Sequence, residues 1–594
     1  MNPTRGAWLA LSVFLLWPLL AGAADAPPKI EAYDPAEFYR ALSPHYRKLF
    51  ASGPRKLADL PLYQLELKID LLLGTVEGSE GVILKNPSAA PLSNVVFRVY
   101  PNSAHLVAEG GRNLTVSEAK VNGRPCAARE VDPTVLEIPL DPPLPPGERA
   151  RIELGYRLVV PRLRENPGAS GLDQLLASGG GGGYGILSFG EGILSLGFSY
   201  PILAAWTAQG WDTPELSGMG DPTHFEPANY LVKLNLPKLA AVASSGIQLG
   251  EQPLGPGPEH PREVFLLAAA ARHFAMQIST RYQHKARDVG GVAIRAFVVE
   301  EQEATAEALL DQAGAAVALY QKMFGPYPYA GLAVAQAPLQ NGAGGMEYPG
   351  LITVALSLYQ PPAGGPMGAL LGKLVEQTRT PEFVVAHEVA HQWWHALVGS
   401  DSLRHPFLDE ALANYSAVMY FESRHGGAAG TQQIELELSM PYQMWRVMGG
   451  ADGPVNRGLD KFANPLEYAA IVYGKGALFF HALRRAMGKQ AFLGLLRAYA
   501  AEFAFREATP QDLVLLIRKK ASGKKAEALY RRWIEEAHGD EDIGVPAAGD
   551  LTGWFQLLAR QGGLGGPGGN VQLPQLDPAM LKLFQDAVRQ LSGP

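Results

Sequence analysis

The sequence predicts an α+β chain of several domains: an N-terminal all-β domain, sheet or sandwich, followed by a mainly helical domain. Three observations predict it. From about residue 60 to 280 apolar residues recur at every second position, the period of a strand with one buried face. Near residue 300 the period becomes helical. The 594 residues are 47% hydrophobic and 18% charged, enough apolar side chain to bury several cores, and at about 100–200 residues per domain the length allows three to five.

Taken in order, the first element is a leader. Arg5 precedes an apolar stretch from Ala7 to Leu20, interrupted only by Ser12, and the small residues Ala21 to Ala24 follow. One positive charge, an apolar run and an Ala-x-Ala site predict an export signal cleaved after Ala23. The alternative is an uncleaved membrane anchor, since extension to Ala24 reaches the lower edge of a span, roughly 17–18 residues. The expected location is therefore periplasmic or secreted, with membrane contact only if the segment is retained. The one cysteine, Cys126, is remote from this site, which excludes lipoprotein attachment, any intrachain disulfide and any cysteine-rich metal site.

The strands come next. Tyr63, Leu65, Leu67 and Ile69 alternate with Gln64, Glu66, Lys68 and Asp70; Ile152, Leu154, Tyr156 and Leu158 repeat the rhythm, as do Tyr230, Val232, Leu234 and Leu236. Turn clusters such as Pro142–Gly147 separate the runs. The Gly179–Gly183 tract reads as a loop, without a phosphate-binding role. Ala304 to Met323 then carries Ala and Leu at helical spacing and stops at Phe324, Gly325 and Pro326. Helices dominate to about His538. The expected division is a leader over 1–24, a β domain over 25–284, a helical domain over 285–545 and a short tail over 546–594. That tail carries a helical piece around Trp554, a Gly-rich linker from Gly562 to Gly569 and an amphipathic stretch from Ala579 to Leu591. Fifty-one basic against 58 acidic residues give a net charge of −7, and without a long basic run no nucleic-acid partner is expected.

The chemistry concentrates after Thr380, read as an N-cap with Pro381 in first helical position. His387 and His391 lie one turn apart on one face of that helix. Imidazoles so placed can bind one cation at about 2.0–2.1 Å, with Glu388 beside them to reach a water without being a ligand. The next helix has Phe407, Leu408, Ala411, Leu412, Tyr415 and Met419 on one apolar stripe, and Glu410 falls 19 positions after His391. Eighteen intervening residues let an antiparallel helix return and complete a His₂Glu set with an open fourth position. Without the metal motif, Glu347 reads as a carboxylate capping a turn before Tyr348 and Pro349, and Tyr473 as a packed aromatic on a helical segment from Leu466 to Met487.

His387, Glu388, His391 and Glu410 at this spacing resemble the gluzincin pattern of the M1 family of zinc aminopeptidases. Gly344, Gly345, Met346 and Glu347 resemble that family's Gly-x-Met-Glu-Asn segment, with Tyr348 in place of the Asn. Tyr473 to Gly476, 63 positions after Glu410, resembles its catalytic tyrosine segment. Phe324 to Tyr329 also matches, with weaker echoes over Tyr230–Gly246 and Arg272–Ser279, so the likeness covers roughly residues 60–540. Ala411 replaces a usual Gly. His395 stands where several members have Gly, and reads as a non-ligand surface or core histidine in preference to an extra polar group near the cleft.

The resemblance implies a thermolysin-like zinc peptidase domain, of a bacterial type lacking the large helical C-terminal domain that covers the cleft in many members. It implies one zinc ion held by His387, His391 and Glu410, Glu388 as general base and Tyr473 as oxyanion donor. Gly344, Gly345, Met346 and Glu347 would bind substrate, with Glu347 pairing with the α-amine of peptides that have a free N-terminus. The alternatives are a zinc endopeptidase with an open cleft and a catalytically retired binding protein on the same fold.

Overall fold

The computed structural model describes residues 35–107, 111–163, 183–221, 224–257, 260–299, 302–360, 378–521 and 524–545. The expected leader, all of the Gly179–Gly183 tract except Gly183, and the tail lie outside these residues. Among the described residues no helix is long and apolar enough to cross a membrane.

The N-terminal half is β. Its largest sheet has eight strands, with the Leu62–Asp70 strand near its middle, parallel to Ala228–Leu236 and antiparallel to Thr75–Lys85. The alternation read in the sequence is the observed burial: in Arg149–Val159 every second residue from Ala150 to Leu158 is buried, and Tyr63, Leu65, Leu67 and Ile69 face inward. Two four-stranded sheets close the other side of this core. The chain from Phe38 to Leu60 precedes the first strand yet contributes Phe38, Leu42, Tyr46 and Phe50 to the core of the C-terminal half. Its Leu42 bridges to Tyr329.

The C-terminal half is mainly helical, but it opens on a five-stranded sheet. Gln283–Val289, Val292–Val298, Gly331–Ala337 and Leu351–Ala355 run in that order across it, and the short Gly345–Met346 strand forms its far edge. Helical dominance after residue 300 hides this sheet in the sequence for a physical reason. Gly331–Ala337 is alanine-rich and buried along six consecutive residues, so it shows neither alternation nor β-branched composition.

The Glu303–Phe324 helix connects two parallel strands of this sheet and packs under the Thr380–Ala390 helix, where the Tyr320 hydroxyl donates to the Ala386 carbonyl at 3.0 Å. Thr380–Ala390 also packs on Glu410–His425. Its cap position is Arg379, in left-handed conformation at φ 53°, so Thr380 is the first helical residue and Pro381 the second. The helix runs into a π-helical turn, Gln392–Leu397, broken at Trp394. Trp393 and Trp394 are fully buried there.

Candidate active site

His387 and His391 come from the last turn and the C-cap position of the Thr380–Ala390 helix. Glu410 is the first residue of the next long helix, where the Asp409 side chain caps the backbone N–H of Glu410 at 2.8 Å. The cap explains why this carboxylate is fixed: it sits on the first turn of a helix that buries Ala411, Leu412, Tyr415 and Met419, just after a short turn that buries Phe407 and Leu408.

The three side chains converge. His387 Nε2 and His391 Nε2 are 3.0 Å apart, and Glu410 Oε2 is 3.3 Å from each. His391 Nδ1 donates to the Trp394 carbonyl at 3.0 Å, so its Nε2 turns a lone pair inward. Facing lone pairs at this spacing repel unless a positive charge lies among them. Tetrahedral ligands at about 2.0–2.1 Å from zinc sit roughly 3.3 Å from one another, and two nitrogens with one carboxylate oxygen are the donor set of a catalytic zinc. The residues present fit a zinc ion.

Glu388, on the same helix, is buried, and its Oε2 has no hydrogen-bond partner among the described residues. Its side chain packs closely on the edge strand: a Cβ on Gly345 would overlap it, and one on Gly344 would press on Val384 at 3.0 Å. Glycine at 345 is therefore a requirement of close approach. Met346 and Glu347 follow on the same edge, both buried. Gln392 clamps this segment to the zinc-site helix, donating to the Tyr348 carbonyl at 3.1 Å and accepting from the Gly350 N–H at 2.8 Å.

Tyr473 lies on a π-helical stretch, Ala469–Gly476, between two α-helical pieces. Its ring stacks on His387 with centroids 5.9 Å apart, and Asn414 donates to its carbonyl at 2.9 Å. The turn is anchored from behind by the buried Lys475, whose ammonium donates to Asp452, the Gly453 carbonyl and the Glu536 carbonyl, each at 2.9 Å.

Burial dominates the electrostatics. It pushes the Glu388 carboxyl up to about 8 and raises Glu347. Burial also works to raise Glu410, but the neighbouring histidines overcome it and hold that group well below the usual carboxylate range. Tyr473 is driven well above its ordinary value by burial, so its hydroxyl keeps its proton and can donate.

The pocket also contains two residues to which the sequence gave no role in the site. Asp221, from a loop of the β half, is hydrogen-bonded to Glu347 and is raised well above the usual range by burial. His395 Nδ1 stands 3.5 Å from Asp221, 3.9 Å from Glu347 and 3.9 Å from Asp409. It is a buried polar group among the acids of the site, where the sequence favoured a non-ligand surface or core histidine. The exchange of Gly for His at 395 was the one available signal; Asp221 had none.

Comparison with known proteins agrees with this geometry. Residues 309–533 match the model of the peptidase family M1 domain. The chain is similar to Aminopeptidase N of Lactococcus lactis subsp. lactis, 28% identical over 26% of this chain and 18% of that protein. It is also similar to Tricorn protease-interacting factor F2 of Thermoplasma volcanium, 25% identical over 45% of this chain and 32% of that protein. The matched stretches thus span less than a third of these relatives. Among solved structures, the fold is similar to an M1 zinc metallopeptidase from Deinococcus radiodurans, with a TM-score of 0.56 and 19% identity over 80% of this chain and 94% of that one. A two-domain M1 zinc metallopeptidase with L-arginine bound gives 0.55 and 18% over 81% and 94%.

These structures correct the expectation of a type lacking a large C-terminal helical domain. The solved relatives are two-domain proteins matched over 94% of their length, and the helical half from Glu303 to Ile543 corresponds to a substantial helical domain. The sequence hides this domain because no boundary marks its helices off from those of the zinc site. The helices Ala477–Met487, Lys489–Glu502 and Pro510–Lys520 share one core with the zinc-site helices, and no linker sets them apart.

Proposed function

We propose that the chain is a zinc-dependent aminopeptidase that removes the N-terminal residue from peptides. The observation that carries this reading is the convergence of His387, His391 and Glu410 in one buried pocket with two further carboxylates, Glu388 and Glu347. A zinc ion held by the first three supplies a Lewis acid and lowers the pKa of water toward about 7. Glu388 takes a proton from the attacking water and passes it to the leaving amine. The Tyr473 hydroxyl donates to the oxygen on which negative charge develops. Glu347 pairs with the substrate α-ammonium and so selects a free N-terminus, because a blocked one would leave a buried carboxylate unpaired. The Gly345–Met346 edge offers backbone groups to an extended peptide, as an added strand. The names of the matched relatives support the substrate class. Export through the Met1–Ala24 segment completes the proposal, with membrane contact only if that segment is retained.

A panel of amino-acid arylamides, free and N-acetylated, with and without chelator, tests the reading. Cleavage of the free series alone, lost on chelation and restored by zinc, is expected. Equal cleavage of acetylated substrates would make it an endopeptidase, and activity indifferent to chelation would remove the zinc.

A further inference from the structure

Behind the proposed amine anchor lies an arrangement that the zinc chemistry does not use. Three elements meet there: the loop carrying Asp221 from the β half, the segment carrying Glu347 after the sheet edge, and the turn carrying His395 after the zinc-site helix. All three side chains are buried to more than nine-tenths. Two carboxylates side by side in a dry pocket repel unless they share a proton, and Asp221 and Glu347 are hydrogen-bonded to each other. His395 Nδ1 is the nitrogen that faces both, at 3.5 Å and 3.9 Å.

Those separations are longer than hydrogen bonds. The imidazole is near enough to draw both carboxyl groups toward one point, where Asp221 and Glu347 are hydrogen-bonded to each other and one Glu347 oxygen is left over. Glu347 Oε1 accepts no hydrogen bond among the described residues. An incoming ammonium, with three N–H donors, is the kind of group that would use such acceptors.

The ring is held in place from behind. The buried guanidinium of Arg272, from the β half, donates through Nε to the His395 carbonyl at 2.9 Å. Its other nitrogens donate to the Phe225 and Arg506 carbonyls, each at 3.0 Å. The His391 and His273 rings stand edge-on to His395. A second metal is disfavoured by Asp409, the remaining carboxylate near His395. Its Oδ1 accepts the Glu410 N–H at 2.8 Å, and its Oδ2 accepts the Ser402 and Ser400 hydroxyls at 2.5 Å and 3.2 Å.

We propose that His395 is a positioning residue whose imidazole holds Asp221 and Glu347 together as a pair facing one substrate ammonium. The proposal rests on the aminopeptidase reading. It is tested on the zinc-loaded full chain with His395→Asn, whose amide is too short to serve both carboxylates, and His395→Gln, whose longer amide can reach them. Steady-state kinetics on free amino-acid arylamides are read together with zinc content and thermal melting. For His395→Asn, KM should rise about tenfold or more while kcat stays within about threefold, the pattern of lost ground-state binding. His395→Gln should recover part of the KM, and both variants should keep one zinc per chain.

An unchanged KM in a folded His395→Asn overturns the proposal. So does a collapse of kcat at constant KM, or two metals in the wild type falling to one in the variant. If His395→Asn does not fold, a His395→Gln whose KM rises while kcat stays within about threefold supports the proposal, and one with unchanged KM overturns it. A wild-type chain that cleaves no arylamide would remove the aminopeptidase reading itself, whereas a cleaving wild type with an indifferent variant removes only the role of His395.

Discussion

Among the described residues four groups of histidines and acids each bring three possible metal-binding atoms within 4.8 Å of one another, three of them at the centre and one, Asp212, His224 and Asp401, at the seam between the halves. At the seam between the halves, every charge has an opposite partner. His224 reaches Glu507 at 2.8 Å and Asp212 at 3.3 Å, and Arg404 forks onto both oxygens of Asp212 at 2.8 and 2.9 Å while reaching Asp401 at 2.7 Å. At the centre, Glu410 Oε2, Glu388 Oε2, Glu347 Oε1 and His395 Nε2 are all without hydrogen-bond partners among the described residues. Proximity of donors therefore does not make a site. The seam carries its own cation, Arg404, and is complete as folded; the centre concentrates buried acceptors that only an added cation and a substrate would satisfy.

The contrast breaks most readily at the centre. Glu388→Gln should keep its zinc and lose about 10²–10⁴ in kcat; near-normal turnover in a metal-loaded variant would take the proton-transfer role away from Glu388. Tyr473→Phe should cost about 10²–10³ in kcat and change KM less, and the reverse split would make the tyrosine a binding group.

The seam should answer in stability alone. Burial works against protonation of His224, but the hydrogen bonds it donates to Asp212 and Glu507, with the Asp401 charge nearby, push it up to about 10. A folded-state value above the ordinary 6.5 means that this stabilisation is full below pH 6.5 and fades as pH rises through 10. Wild-type Tm should therefore fall more steeply between pH 7 and 10 than that of His224→Gln, while kcat and KM of the variant stay unchanged. A Tm difference that does not vary with pH would show that the seam does not hold a protonated histidine.

Much of the centre was legible because it is local. His387 and His391 share a helix face whatever surrounds them, and Glu410 opens a helix whose apolar stripe, Ala411 to Met419, announces its inward side. The strands with one wet face, such as Arg149–Val159, were equally plain. Less legible were elements whose form answers to distant contacts. The segment around Tyr473 reads as ordinary helix yet runs as a π-helix, where Gly474 lets the Leu438 carbonyl approach within 2.7 Å of a hypothetical Cβ. The cap before the zinc-site helix falls on Arg379 and not Thr380. The five-stranded sheet stayed hidden because strands buried on both faces have no alternation to read.

By itself, then, the amino-acid order determined the periodicities, the helix that carries two imidazoles and the return of a carboxylate beside them, since each follows from the covalent geometry of short stretches. Only the tertiary structure decided that Asp221 enters from the β half, that Arg272 reaches across to hold the His395 carbonyl, and that Arg404 completes one acidic cluster while the other is left to be completed from outside. Those outcomes depend on which surfaces pack together, and burial, the force that raises Glu388, Glu347 and Asp221, exists only once they have.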